Sequence, residues 1–186
     1  SVSSNGDYIT INNNAFSNAR IKNFNVPLDY VRLVRTSAFA CAKIGNPISF
    51  SSKLTKIEDR AFDSFDGEVD ILSGNISKIG SYAFANNNME SFDVYASDIA
   101  NNAFYNCKNL KSFFVYSSNT SLGKSAFENC TSLKNFYIEG SVSSVGISCF
   151  ANTALTSFDL SETKSIEKSA FENCANLETV TGQPTY

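Results

Sequence analysis

The sequence predicts a repeat solenoid, a single domain over residues 1–186 with about eight repeats. Three observations predict it. Eight Phe residues, Phe16, Phe39, Phe62, Phe84, Phe104, Phe127, Phe150 and Phe171, each follow a small residue, Ala in seven cases and Cys149 in one. They recur at steps of 20 to 23 residues along the chain. An apolar residue stands five positions before every one of them: Ile11, Val34, Ile57, Ile79, Ile99, Leu122, Val145 and Ile166. A fixed period of this length marks units that bury their cores only by stacking on their neighbours. The architecture expected is one short parallel strand per unit, forming a concave sheet, with short turns or helical turns on the convex side.

Each unit divides at its Phe. Before it, a second apolar position lies eight residues upstream: Tyr8, Val31, Leu54, Ile76, Ala96 and Val142, with Asn119 an exception and Thr163 a partial one. The spacing of three suits a short extended piece leading into a tight turn or a single helical turn. After the Phe the best-formed units read Phe104-Tyr105-Asn106-Cys107 through Val115 and Phe127-Glu128-Asn129-Cys130 through Ile138. Their shared form is F-x-N-C-x-x-L-x-x-F-x-[VI]. Its alternating tail is a strand signal with one apolar face. Phe24-Asn25-Val26, Ile48-Ser49-Phe50, Val69-Asp70-Ile71, Phe92-Asp93-Val94 and Phe158-Asp159-Leu160 keep that tail.

The ends are less regular. Little precedes Tyr8, and Ser1 to Gly6 carry no charged head and apolar run, so no signal peptide is expected there. A solenoid needs covered ends. At the other end, the expectation is either that Pro184 and Tyr186 fold over the last unit or that the chain is a fragment of a longer protein. End-to-end packing of two molecules, or of two concave faces, is a further expectation.

The pattern I-x-x-x-A-F-x-N-C-x-x-L-x-x-[FI]-x-[VI] resembles the BspA-like leucine-rich repeat, from about Tyr8 to Val180. It is most specific where the Asn-Cys pair stands, at Asn106-Cys107, Asn129-Cys130 and Asn173-Cys174. The resemblance implies a curved solenoid with a concave parallel sheet. It also implies a secreted or cell-surface protein engaged in adhesion and protein recognition, a host or matrix protein being one class of partner. That functional step is analogy, since a fold hosts many functions.

Composition narrows the field. With 15 Lys and Arg against 18 Asp and Glu, and no basic run, nucleic acid is not an expected partner. No apolar stretch reaches the length of a membrane span. There is no His, which removes the commonest general base and metal ligand together. No nucleophile motif or Gly-rich phosphate loop stands in the chain, so neither an enzyme nor a cofactor is expected.

Several residue sets invite a chemical reading. Cys107, Cys130 and Cys174 share one repeat position, with Cys149 and Cys41 near the turns. They fit buried small side chains better than a metal or redox site, and the odd total of 5 Cys rules out a complete disulfide set. Asn18, Asn86, Asn106, Asn129, Asn152 and Asn173 lie two after the Phe and read as turn residues whose amides satisfy backbone groups. Asn75-Ile76-Ser77 and Asn119-Thr120-Ser121 match the glycosylation sequon. Glu58, Asp59, Asp63, Asp66, Glu68 and Asp70 form an acidic cluster without EF-hand spacing, read as solvated side chains.

The outward face of the strands carries the functional expectation. Its row reads Asn25, Ser49, Asp70, Asp93, Phe114, Tyr137, Asp159 and Thr181. Tyr95 and Tyr116 come two residues on from Asp93 and Phe114. Asp93, Tyr95, Phe114, Tyr116, Tyr137, Glu139 and Asp159 are therefore the candidate binding residues. Exposed aromatics anchor interfaces because they bury large area with few rotors. Three readings of the patch stay open: a protein partner, a carbohydrate stacked on the rings, or cross-strand pairing within a structural spacer of a larger surface protein.

Overall fold

The computed structural model describes residues 2–5, 8–71 and 75–182. Its chain winds into stacked coils, one per Phe. The eight rings form a continuous column, with adjacent centroids 5.0–5.4 Å apart and planes within 17° of parallel. That spacing is close to the distance between hydrogen-bonded strands, so the column and the backbone rise together. The six internal rings are fully buried; the end rings Phe16 and Phe171 are only half-buried.

Two residues per coil make the turn around each Phe, and both have left-handed backbone. They stand two before and two after the ring in all eight coils, from Asn14 and Asn18 to Ser169 and Asn173. This conformation is costly for L-residues other than Gly, and least so for Asn and Asp. It bends the chain so that alternate N–H groups point along the stack. Phe62 donates to the Ala83 carbonyl at 2.7 Å and Phe104 to that of Ala126 at 2.8 Å. The segment is a tight turn; no helix occurs among the described residues.

Each coil carries at least two ladder positions, more than the one strand the sequence suggests. The first holds the residue five before the Phe, in pairs such as Lys56–Ile57, Lys78–Ile79 and Asp98–Ile99, all joined in parallel. The second is the alternating tail, as in Ile48–Phe50, Val69–Ile71 and Ser91–Ala96. In the fifth and sixth coils the two merge into the strands Ser112–Leu122 and Asn135–Val145. Gly140 lies at the junction, with φ of 123° and no room for a Cβ against the Ser117 carbonyl. In the first coil, Phe24 is buried but Val26 is exposed and residues 24–26 form no strand; the pairing is at Arg20–Ile21 instead.

The irregular sequence positions have local explanations. Asn119 is exposed because the register shifts beside it, and Thr120 takes the buried place and donates to the Ala96 carbonyl at 2.8 Å. Thr163 is likewise buried and donates to Val142 at 2.9 Å. Tyr8, expected in the core, is exposed at the first ladder's edge. There Val2–Asn5 pairs antiparallel with Tyr8–Ile11. At the other end Ile166 is 48% and Val180 53% exposed, whereas Val145, Ile99 and Val115 in inner coils are at 0%. The expectation for Pro184 and Tyr186 lies outside the described residues.

Candidate functional site on the strand face

The second ladder places the seven candidate residues on one outward surface. Asp93, Phe114 and Tyr137 are direct neighbours across three strands, and Tyr116 is opposite Glu139. Inward-pointing Phe92, Val94, Phe113, Val115 and Phe136 are buried beneath them. Period-two alternation therefore lifts each candidate out of the core. Adjacent strands lie about 4.8 Å apart, so stacked rings are the natural arrangement. Phe114 and Tyr137 stack with centroids 4.5 Å apart and Tyr95 and Tyr116 at 4.8 Å. Tyr95 is 40% and Tyr137 48% exposed, at opposite corners; Phe114 and Tyr116 are half-buried between them.

Carboxylates frame the rings. Asp93 and Glu139 are exposed at the margins. Partial desolvation holds the Tyr116 phenol above its ordinary value, and the nearby Asp93, Tyr95 and Glu139 add to the shift. Asp159 is held differently. Its Oδ1 accepts from the Ser161 N–H at 2.9 Å and the Ser161 hydroxyl at 2.7 Å. These bonds keep its carboxyl below the usual range and tie the oxygen into a local turn. Beside the tyrosine pair lies a shallow hollow of about 350 Å³, rimmed by Asn75, Ser77, Ser97 and Ser118. This polar rim was missed in the sequence, because its serines come from the corners between ladders, where the repeat is least regular.

The other residue sets are structural. At the position three after the Phe, the Sγ of Cys107 donates to the carbonyl of Phe84, and that of Cys130 to Phe104, both at 3.1 Å. Asn87 fills the same place and donates to Phe62 at 2.7 Å. These thiols thus hold one coil to the one before. All five are free. Burial pushes the Cys130 and Cys149 thiols upward, with Cys107 adding to the shift at Cys130, so neither is a ready nucleophile.

The recurrent Asn residues correct a sequence expectation. Their amides bond side chains rather than the backbone: Asn106 donates to Asn86 at 2.8 Å, Asn152 to Asn129 and Asn173 to Asn152 at 2.9 Å, Asn86 to Asp63 at 3.0 Å and Asn129 to Tyr105 at 3.2 Å, while Asn18 meets Ser17. The acidic cluster is dispersed into separate contacts, Asp63 with Arg60 at 2.8 Å and Asp66 with Lys43 at 2.6 Å. Among the described residues, no group of three or more Cys, Asp or Glu side chains is placed to hold a metal ion. Nor is any described helix long and apolar enough to cross a membrane.

Comparison with known proteins matches these features. A family model for the BspA type leucine rich repeat region matches residues 1–99 and 97–185, in six copies. Among curated proteins, none matches the chain. A leucine rich cell surface protein from Faecalibacterium prausnitzii has a similar solved structure, with TM-score 0.72, 19% identity and 99% of this chain covered. The chain spans 55% of that protein's length. A leucine-rich repeat protein from Bacteroides ovatus aligns at TM-score 0.42 and 17% identity, over 98% of this chain and 79% of its own. With the Phe column, the paired ladders and the family match in agreement, the chain belongs to the BspA-type leucine-rich repeat family.

Proposed function

We propose that the chain is a non-enzymatic recognition and adhesion module, at a cell surface or outside the cell, that binds a protein partner through its strand face. One observation carries the reading. Two stacked, partly exposed aromatic pairs stand side by side on a rigid ladder, with Asp93 and Glu139 at their margins. Such rings are already ordered, so a partner meets them at little entropic cost. The flanking carboxylates favour a partner with basic groups around an apolar contact. Asp159 contributes less, since Ser161 already engages its carboxylate. The cell-surface description of the Faecalibacterium protein supports the location.

The test is binding of the purified chain to a panel of extracellular-matrix proteins, with Tyr116→Ala/Tyr137→Ala as the comparison. The expected result is a partner bound by wild type and weakened by about 2 kcal/mol or more in the variant, at unchanged melting behaviour. Equal binding by a folded variant removes the strand face from the account. A carbohydrate ligand is the second reading, favoured by the hydroxyl-rimmed hollow against Tyr95 and Tyr116. Binding on a glycan array with no protein partner selects it.

A further inference from the structure

Charge is distributed unevenly along the solenoid. Residues 1–60 hold eight Lys and Arg against four Asp and Glu, whereas residues 61–186 hold seven against fourteen. The N-terminal coils are thus a basic end on an acidic protein. Two of these cations, Arg32 and Lys56, stand on the first ladder, away from the aromatic strand face. A register shift opposes Ile9 to Val31 and Thr10 to Leu33, leaving Arg32 unopposed. Such a bulge re-aims the side chain it carries. Here it sets the Arg32 guanidinium 5.3 Å from the Tyr8 ring centroid. In the coils beside it, the Lys53 ammonium lies 4.4 Å from the Tyr30 centroid. Both rings are exposed.

Neither cation has a carboxylate within ion-pair distance among the described residues, whereas Lys43, Lys56, Arg60, Lys78 and Lys111 all do. Arg32 also lines a hollow of about 410 Å³ with Tyr8, Thr10, Leu33, Thr55 and Lys56. The other cation of the hollow, Lys56, is 3.5 Å from Glu58, which also accepts from the Thr36 N–H at 3.2 Å. Leu33 adds a second, independent feature. Its outward row runs Thr10, Leu33, Lys56, Lys78, Asp98, Ser121, Ser144 and Ser165, and Leu33 is the one apolar member.

We propose that this hollow receives an acidic protein segment, with a carboxylate on Arg32 and a neighbouring apolar side chain on Leu33 and Tyr8. A guanidinium held beside a ring, with no ion pair of its own, keeps its fork of donors free for a carboxylate. An apolar floor has a use for a peptide side chain and little for a sulfated or uronic polysaccharide. The site lies on a different face from the aromatic patch and does not depend on it.

The test uses a fluorescein-labelled peptide with a Glu-Leu-Glu core in a Gly and Ser frame, followed by anisotropy. Wild type is expected to bind it, more weakly as salt rises. Arg32→Ser should lose roughly tenfold or more in affinity, which is about 1.4 kcal/mol, with melting unchanged. Replacing the peptide's Leu by Ser should weaken binding to wild type but not to Leu33→Ser. Tyr116→Ala/Tyr137→Ala should bind as wild type, which separates this site from the strand face. Failure of wild type to bind, unchanged affinity in the folded Arg32→Ser variant, or tighter binding of heparin fragments than of the peptide overturns the proposal.

Discussion

At the scale of single residues, the recurring Asn is the best guide to what the repeat requires. Asn129 has φ of 63°, accepts from the Asn152 amide and donates to the Tyr105 hydroxyl. Backbone and side chain therefore make separate demands. Asn129→Val, β-branched and unable to adopt left-handed backbone cheaply, should cost about 2–3 kcal/mol. Asn129→Gly relieves the backbone and loses only part-buried hydrogen bonds, so it should cost about 1 kcal/mol or less. Urea denaturation of the pair separates the two effects; equal losses would mean that the amide ladder dominates. Tyr116 makes a pH-dependent demand. Its phenol titrates above the ordinary value near 10, so the folded state retains a proton that the unfolded chain releases. Its stabilising contribution is complete below that pH and is lost as pH rises through the folded value. Denaturation across alkaline pH should show a smaller loss for Tyr116→Phe than for wild type.

At the scale of elements, position in the column decides the cost of losing a ring. Phe127 is wholly buried and packs against Phe104 and Phe150 at 5.2 and 5.3 Å, with Phe113 and Phe136 edge-on. Phe127→Ala should cost roughly 3–5 kcal/mol. Phe16 is half-buried and has one column neighbour, Phe39. Phe16→Ala should cost about half as much by the same thermal or urea measurement. Equal costs would contradict a stack of nearest-neighbour contacts. The column and the alternating tail were legible because both repeat an apolar side chain at fixed spacing. The first ladder was only half legible. Its strands are two residues long in most coils, too short for alternation to register, although Ile57, Ile79 and Ile99 were identified as inward. The left-handed positions were visible at Asn106 and Asn129 but hidden at Arg60 and Tyr82, whose side chains give no turn signal. The bulge at Arg32 left no trace beyond the misplacement of Tyr8, since a bulge changes register without changing composition.

At the scale of the whole molecule, a stack of coils is a device for setting side chains in rows. Rows one strand apart turned Tyr95 with Tyr116, and Phe114 with Tyr137, into stacked pairs. The outward direction of all seven candidate residues followed from alternation alone. What alternation could not supply was the difference among them, such as the engagement of Asp159 by Ser161 or the hollow beside Tyr95. These depend on corners between ladders, where the path is set by contacts with adjacent coils rather than by local pattern. The central claim is that the aromatic rows are the contact surface. Oxidative footprinting of the chain, free and with a matrix protein it binds, tests it most directly. The account predicts protection of Tyr95, Phe114, Tyr116 and Tyr137, with Tyr82 and Tyr105 on the turns unchanged. Protection of the turn tyrosines with the four rings still reactive would contradict it.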